Sequence, residues 1–441
     1  MKRYILLSFL VSLLASCGGS PGDDRTIVYN CAANTSEIAA LRPAQEKFFA
    51  HSGIRVKLNP FSGEEKLYAM MAAGQAPDVF YTNNAVRDRL AAEGRLLDLR
   101  PFVEKDPVWQ RLRPEVRAAA VSADGGIYSI GNYTQTAGVY YNRAAFAAAG
   151  IAPPSMDWTW ADFKAAAKAL THDENGDGKP ERYGVFIPAH FIETLALMNH
   201  APVTHDALFL QISAEEREVY AEYLGLMQDG VMPDLRRVQA MGMQAAQMLQ
   251  AGRVAMLMES VLHPGLAETL TIDWAVAPLP RFGDKAPRYF RSASGGLSIS
   301  ATTKNPPDAW RTLVWLISEA APYQPSPMLA AVPFVAAQVE KYPQLKGRGF
   351  REVWELSEQF PGGDPRYFVR FANWSMGPVM TRFQPWLDRL WSGAATIDEV
   401  VAAVPEINAG VRADLERQLQ SGGLRPEWKT LLEQALADAQ P

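Results

Sequence analysis

Between Arg25 and Thr82 three short apolar runs alternate with two stretches of helical spacing, and no other feature narrows the fold of this chain as much. "RTIVYN" reads as a strand, and Ser36 to Ala50 as a helix in which Ile38, Leu41, Phe48 and Phe49 recur at roughly helical spacing. Gly53 ends that helix, "IRVKLN" supplies a second strand, Glu64 to Ala73 a second helix and "PDVFYT" a third strand. Strand, helix, strand, helix, strand with short connections calls for a parallel sheet covered on both faces. Pro43 is expected to kink the first helix or to sit near its start.

The rhythm continues less regularly. "GVYYN" reads as a strand, Trp160 to Leu170 as a helix, "YGVFIP" as a strand, and Ala214 to Gln228 and Gln239 to Ala251 as helices. "VAMLME", "WAVAPLP" and "GGLSISATT" are further strands, a helix begins near Pro307, and the chain from Phe350 onward reads as helices. At 441 residues it exceeds one ordinary core, so two or three lobes are expected. Open α/β sheets take ligands beyond the carboxyl ends of their strands, so two such lobes face to face would line a cleft with strand-end residues.

The amino terminus carries an address. Lys2 and Arg3, an apolar run from Ile5 to Leu14, and the small Ala15 and Ser16 form the three parts of a secretory signal. The run is too short for a bilayer span, which needs about 20 apolar residues. Leu14, Ala15, Ser16 and Cys17 resemble a bacterial lipobox, which implies that residues 1–16 are removed and that Cys17 is acylated as the first mature residue. Residues 17–25, with "GGSPGDD", then read as a lipidated flexible linker. A lipidated Cys17 cannot pair with Cys31, so no mature disulfide is expected, and Cys31 at a strand end reads as a small buried hydrophobe. The formal net charge of -5 becomes more negative when Lys2 and Arg3 leave, which argues against a nucleic-acid or anionic-membrane surface.

Several segments together resemble the extracellular solute-binding proteins of the maltose-binding-like family, the capture subunits of ABC importers. They are "FFAHSGIRVKL", "LYAMMAAGQAPDVFYTNN", "EGRLLDL", "WTWADFKAAAKALTHDENGDGKPERYG", "GRVAML" and "SGGLSISATTKNPPDAWRTLVWLIS", in that order. The resemblance implies an α/β, two-lobe periplasmic-binding-protein-like fold of type II, each lobe a sheet flanked by helices and the ligand cleft at the hinge. The N-terminal lobe would take residues 26–132 plus about 290–323, and the C-terminal lobe 139–280 plus about 345–441, with hinges near 130–138 and 280–289. It further implies a monomeric, lipid-anchored receptor on the periplasmic side or outer face of the cell envelope. Such a receptor captures a sugar or related polyhydroxy solute and delivers it to the transmembrane permease subunits.

A sugar offers hydroxyl edges and apolar C–H faces, so its site needs planar amides or carboxylates for the edges and rings for the faces. Residues just past the expected strand ends supply both. Phe61, Ser62 and Glu64 follow the second strand, Tyr81, Asn83 and Asn84 the third, and Asn132 and Tyr133 fall at the first hinge. Glu259 and Ser260 follow "VAML", Arg291 and Ser294 precede the return strand, and Glu193 opens a helix among apolar residues. Phe371 and Trp374 lie in a late stretch from which the family often sets an aromatic against the sugar. The ligand set is therefore Glu64, Tyr81, Asn83, Asn132, Tyr133, Glu193, Glu259, Arg291 and Trp374. Each has a structural competitor. Asn83 or Asn84 could cap the next helix, Tyr81 and Tyr133 could be packing, and Glu193 could answer the helix dipole. Arg291 could belong to an ion pair, and Trp374 could be core. Trp158 and Trp160 read as structural, with Thr159 as a cap.

Asp173, Asn175, Asp177 and Gly178 fit the start of a calcium loop, D-x-N-x-D-G, but Gly184 stands where the twelfth-position glutamate belongs. A turn between helix and strand is the better reading, with calcium the only cofactor left open. Nucleotide, hydrolase and zincin motifs are missing, and the six histidines lack metal-ligand spacing. A binding protein without catalysis is expected; the other readings are a lipid-anchored glycosidase or lyase, and a ligand-sensing subunit of a signalling system.

Overall fold

The computed structural model describes residues 25–31, 35–60, 63–131, 136–202, 208–261, 266, 270–288, 295–320, 345–359 and 373–439, with the side chains of 31, 35–40, 114–115 and 373–376 excepted. The opening alternation is realised as β1 (Thr26–Cys31), α1 (Thr35–Ser52), β2 (Arg55–Pro60), α2 (Glu64–Ala72), β3 (Val79–Thr82) and α3 (Asn84–Ala92). The first sheet has the order β2-β1-β3-β8, where β8 is Gly296–Ile299. β1 runs parallel to both β2 and β3, as short helical crossovers require, whereas the late strand β8 lies antiparallel to β3. α1 runs through Pro43, which therefore lies in its interior rather than near its start.

The second sheet, order β5-β6-β4-β7, is built from β4 (Ala137–Asn142), β5 (Tyr183–Phe186), β6 (Val254–Ser260) and β7 (Trp274–Pro278). Only β5 and β6 are parallel; β4 is antiparallel to both of its neighbours. All five residues of β7 and the first five of β6 are buried, the mark of strands covered on both faces. Helix starts are set by caps that the sequence carries openly: Thr159 with Asp162, Ser213 with Glu216, and Thr396 with Glu399 each close a capping box. The helix expected over Gln239 to Ala251 is instead two, Leu235–Met241 and Ala245–Gln250. Gly242 takes a left-handed conformation (φ 60°) between them, which ends the first helix.

Two large cores follow the two sheets. One gathers Ile27, Val79, Leu297, Ile299 and Trp310 around the first, the other Val139, Val185, Met256 and Ala277 around the second. The chain after residue 373 does not stay with the second sheet. Helix Ile397–Gln420 buries Val400, Ile407, Val411 and Leu415 there, but the last helix, Pro426–Asp438, divides its apolar face. Its Leu432 and Leu436 join the second core, while Trp428 packs among Leu67, Phe80, Val86, Leu90 and Tyr128 of the first half. Arg425 at that helix's start donates to Asp124 (2.9 Å) and to the Tyr128 hydroxyl (2.5 Å).

The first half is also stapled at its amino end. Arg25 donates Nε and Nη2 to the two oxygens of Asp308, at 2.7 and 2.6 Å, in the first turn of helix Pro306–Ile317. The Arg25 hydrogen bonds hold the Asp308 carboxyl below its ordinary range, against the opposing effect of burial. A depressed native carboxyl stabilises the fold above the ordinary value of 3.8, and that contribution is lost as the pH falls below it toward the native value. Asp308→Asn is therefore expected to lower stability at neutral pH and to flatten its decline in acid. Urea midpoints at pH 7 and pH 3 check this; an equal decline in both proteins would exclude Asp308 as a source.

Candidate functional site

The chain crosses between the two sheets at one end of each. Ile130 bridges Leu297 of the first sheet, its N–H at 3.0 Å from the Leu297 oxygen, and β4 of the second sheet begins at Ala137. Seven steps of chain span at most about 25 Å, which bounds the distance from Ile130, at the carboxyl edge of β1–β3, to the amino end of β4. The return follows the same seam. β7 ends at Pro278 opposite Gly138, and β8 begins at Gly296 opposite Thr82. The carboxyl ends of β1, β2 and β3, which the α/β rule assigns to ligand binding, thus lie at the end of the first sheet where the chain crosses.

The first edge is amide-rich. β1 and β2 each carry an asparagine one residue before their end, and their parallel register sets Asn30 beside Asn59, whose Nδ2 donates to the Asn30 Oδ1 at 2.8 Å. Past β3, Asn83 does two things at once. Its Oδ1 accepts from the Val86 N–H at 2.9 Å and caps α3, while its Nδ2 donates to the Glu64 Oε1 at 2.6 Å. The cap and the site readings of Asn83 are therefore compatible, and both side chains are exposed. Asn84 is buried, and its Oδ1 accepts from the Gly295 N–H at 3.0 Å, pinning the returning chain to α3. Tyr81 is half-buried beneath that chain. A β-carbon at Gly295 (φ +73°) would run into the Tyr81 hydroxyl and the Thr82 carbonyl oxygen, so only glycine lets the backbone pass this close.

The second edge carries Glu259, half-buried, in register with Gly138 and accepting from the Ser260 N–H at 2.7 Å. Beneath it the Tyr140 hydroxyl donates to the Ser260 and Val261 carbonyl oxygens. Burial, with the Glu259 charge adding to it, pushes that phenol far up and keeps it neutral. Beyond β5 at the same edge, Glu193 lies half-buried in the first turn of helix Ile192–Met198. The structure thus joins Glu64 to Asn83 directly, sets Tyr81 on the same edge, and places Glu193 and Glu259 at one end of the second sheet. Asn132, Tyr133, Arg291, Ser294, Phe61, Ser62 and Cys17 lie outside the described residues; Trp374 falls in helix Asn373–Trp391, with its side chain outside them. The Asn30–Asn59 pair was within reach of sequence reasoning, because both strand segments end on the same residue type.

The acidic loop is elsewhere. Asp173 accepts from the Gly176 and Gly178 N–H groups, Asp177 from that of Lys179, and Glu181 from the Glu174 N–H and the Asn175 Nδ2. Oxygens of Asp173, Asp177 and Glu181 come within 4.8 Å of one another, so the third acid is the ninth residue of the loop rather than the twelfth. This loop leads into the amino end of β5, the edge of the second sheet away from Glu259.

A family model described as bacterial extracellular solute-binding protein matches residues 32–321. No curated sequence relative matches. Among solved structures, an ABC substrate-binding protein from Listeria monocytogenes in complex with cycloalternan superimposes with a TM-score of 0.71 at 20% identity, over 89% of this chain and 98% of that one. A solute-binding protein from Thermotoga lettingae bound with α-D-tagatose gives 0.67 at 19%, over 88% and 98%. A maltose/maltodextrin-binding domain from Bdellovibrio bacteriovorus bound to maltotriose gives 0.64 at 18%, over 89% and 99%.

Proposed function

The chain belongs to the bacterial extracellular solute-binding proteins and has their two-lobe, type II fold, and from that premise we propose that it captures a carbohydrate between its two sheet edges and delivers it to an ABC permease. The observation that carries the reading is the Asn83–Glu64 pair at the strand ends of one sheet, with Glu259 on the facing edge of the other. An amide and two carboxylates offer both donors and acceptors to a ring of hydroxyl groups, and the half-buried Tyr81 offers an apolar face. The sugars bound by three proteins of the same fold, cycloalternan, tagatose and maltotriose, support this class of ligand. Closure is a hinge movement about the two crossings, biased by contacts that the solute makes only when both edges reach it. The protein binds and releases its solute unchanged; hydrolysis of ATP belongs to other subunits of the importer.

A thermal-shift screen of sugars, polyols and oligosaccharides tests the reading. At about 100 times its dissociation constant the cognate solute adds roughly 2.7 kcal/mol of stability, and Glu259→Gln weakens its binding. No shift with any carbohydrate sinks the ligand class, and a new reducing end in the same mixtures sinks the receptor reading in favour of an enzyme. We also propose that Cys17 anchors the mature protein by its lipid. Among the described residues no helix is long and apolar enough to cross a membrane. Mass spectrometry of the mature amino terminus is expected to find acylated Cys17, and Cys17→Ala to release the protein from the membrane fraction.

A further inference from the structure

The amino ends of β5 and β6 frame a groove of ≈ 330 Å³ on the far edge of the second sheet. Its walls include Tyr183, Arg237, Arg253 and Lys179, with Met241 and Met243 as the apolar part. Six steps of β6 separate it from Glu259, roughly 20 Å at strand rise, so it is distinct from the seam between the sheets.

The acids and the cations of this groove are engaged to different degrees. Its two acids, Asp177 and Glu181, already accept from the loop that carries them, and nearby Asp234 accepts from the Arg237 N–H as a helix cap. The side chains of Arg237, Arg253 and Lys179 make no ion pair or hydrogen bond among the described residues. Tyr183 is only 4% exposed, lines the groove, and its hydroxyl also lacks a partner among them. The ring is packed away while the hydroxyl is open to the groove. Burial raises its pKa, so the phenol enters the groove as an O–H donor.

We propose that this groove binds a small organic oxyanion, a carboxylate or phosphate monoester carried on an apolar group. The oxygens lie between Arg237 and Arg253, accept from the Tyr183 hydroxyl and face Lys179. The apolar group rests on Met241 and Met243, whose flexible thioethers adapt to its shape. The proposal is independent of the carbohydrate reading and stands or falls without it.

Titration of the full mature chain with phenyl phosphate, benzoate, inorganic phosphate and benzyl alcohol, followed by calorimetry and by tyrosine NMR signals, tests it. Phenyl phosphate or benzoate is expected to saturate with a dissociation constant of about 1 mM or tighter, and which of the two is tighter identifies the head group. Arg237→Gln is expected to weaken binding about tenfold or more, and Tyr183→Phe, which keeps the ring in place, about fivefold. Arg253→Gln provides a second, exposed variant that leaves the fold intact. Three outcomes overturn the proposal: no saturable binding of either aromatic anion, benzyl alcohol binding as tightly as benzoate, or affinities unchanged in all three variants. Inorganic phosphate binding as tightly as phenyl phosphate overturns the apolar half of the site.

Discussion

Arg87→Met is expected to cost about 3–5 kcal/mol of stability, the penalty for leaving a buried charge without its partner. Arg87 and Asp88 are 3% and 4% exposed, and the Arg87 Nε donates to the Asp88 Oδ1 at 2.7 Å. Arg87 also donates to the Ala119 carbonyl oxygen at 2.7 Å, and Ser122 donates to Asp88 at 2.8 Å. Two buried ions therefore fasten α3 to residues 119–122 behind it. Because Asn83 caps α3 and Asn84 opens it, the pair holds the first edge of the site in place. Methionine fills the arginine stem but strands the carboxylate, whereas Arg87→Met with Asp88→Leu removes both charges and should recover most of the loss. Denaturant titrations of the two variants decide it. A single variant within about 1 kcal/mol of the parent, the range of an exposed pair, would sink the account.

Trp428→Ala is the second large effect, about 3–5 kcal/mol for a fully buried aromatic. Trp428 is 1% exposed, and its neighbours Phe80, Leu90 and Tyr128 all come from the first half of the chain. The loss should also be local. Protease cleavage within Pro426–Asp438 is expected to accelerate in Trp428→Ala and much less in Trp428→Phe, which retains a ring. Equal cleavage of the alanine variant and the parent would mean that Leu432 and Leu436 alone hold the helix.

These two sites also mark where sequence reading stops. Strands such as "RTIVYN" and "VAMLME" announce themselves by continuous apolar runs, and helix starts at Thr159, Ser213 and Thr396 by their caps, because those signals are local. α3 reads "NAVRDRLAA", polar enough to pass for a solvated helix, yet Asn84, Arg87 and Asp88 are buried. Their burial is set by partners more than thirty positions away, which no periodicity encodes. The mixed second sheet was hidden for the same reason, since a strand's direction relative to its neighbours is a property of the pairing. The break at Gly242 lay inside the stretch from Gln239 to Ala251 that reads as one helix, since a lone glycine does not by itself stop a helical pattern. At the site, Glu64, Tyr81 and Asn83 were legible as strand-end residues, but the bond between Glu64 and Asn83 required the geometry.

The interleaving of the two halves reverses the order in which their sheets can be closed. All four strands of the second sheet lie between Ala137 and Pro278 and can assemble as soon as that stretch is made. The first sheet, begun at Thr26, waits for β8, joined to it across 216 positions at the Thr82–Ser298 bond, and its core waits for Trp428. Such distant pairings are slow to form, and until β8 arrives β3 presents an open edge. The sheet that is begun first is therefore closed last, while the last helix completes both halves together, with Trp428 on one side and Leu432 and Leu436 on the other.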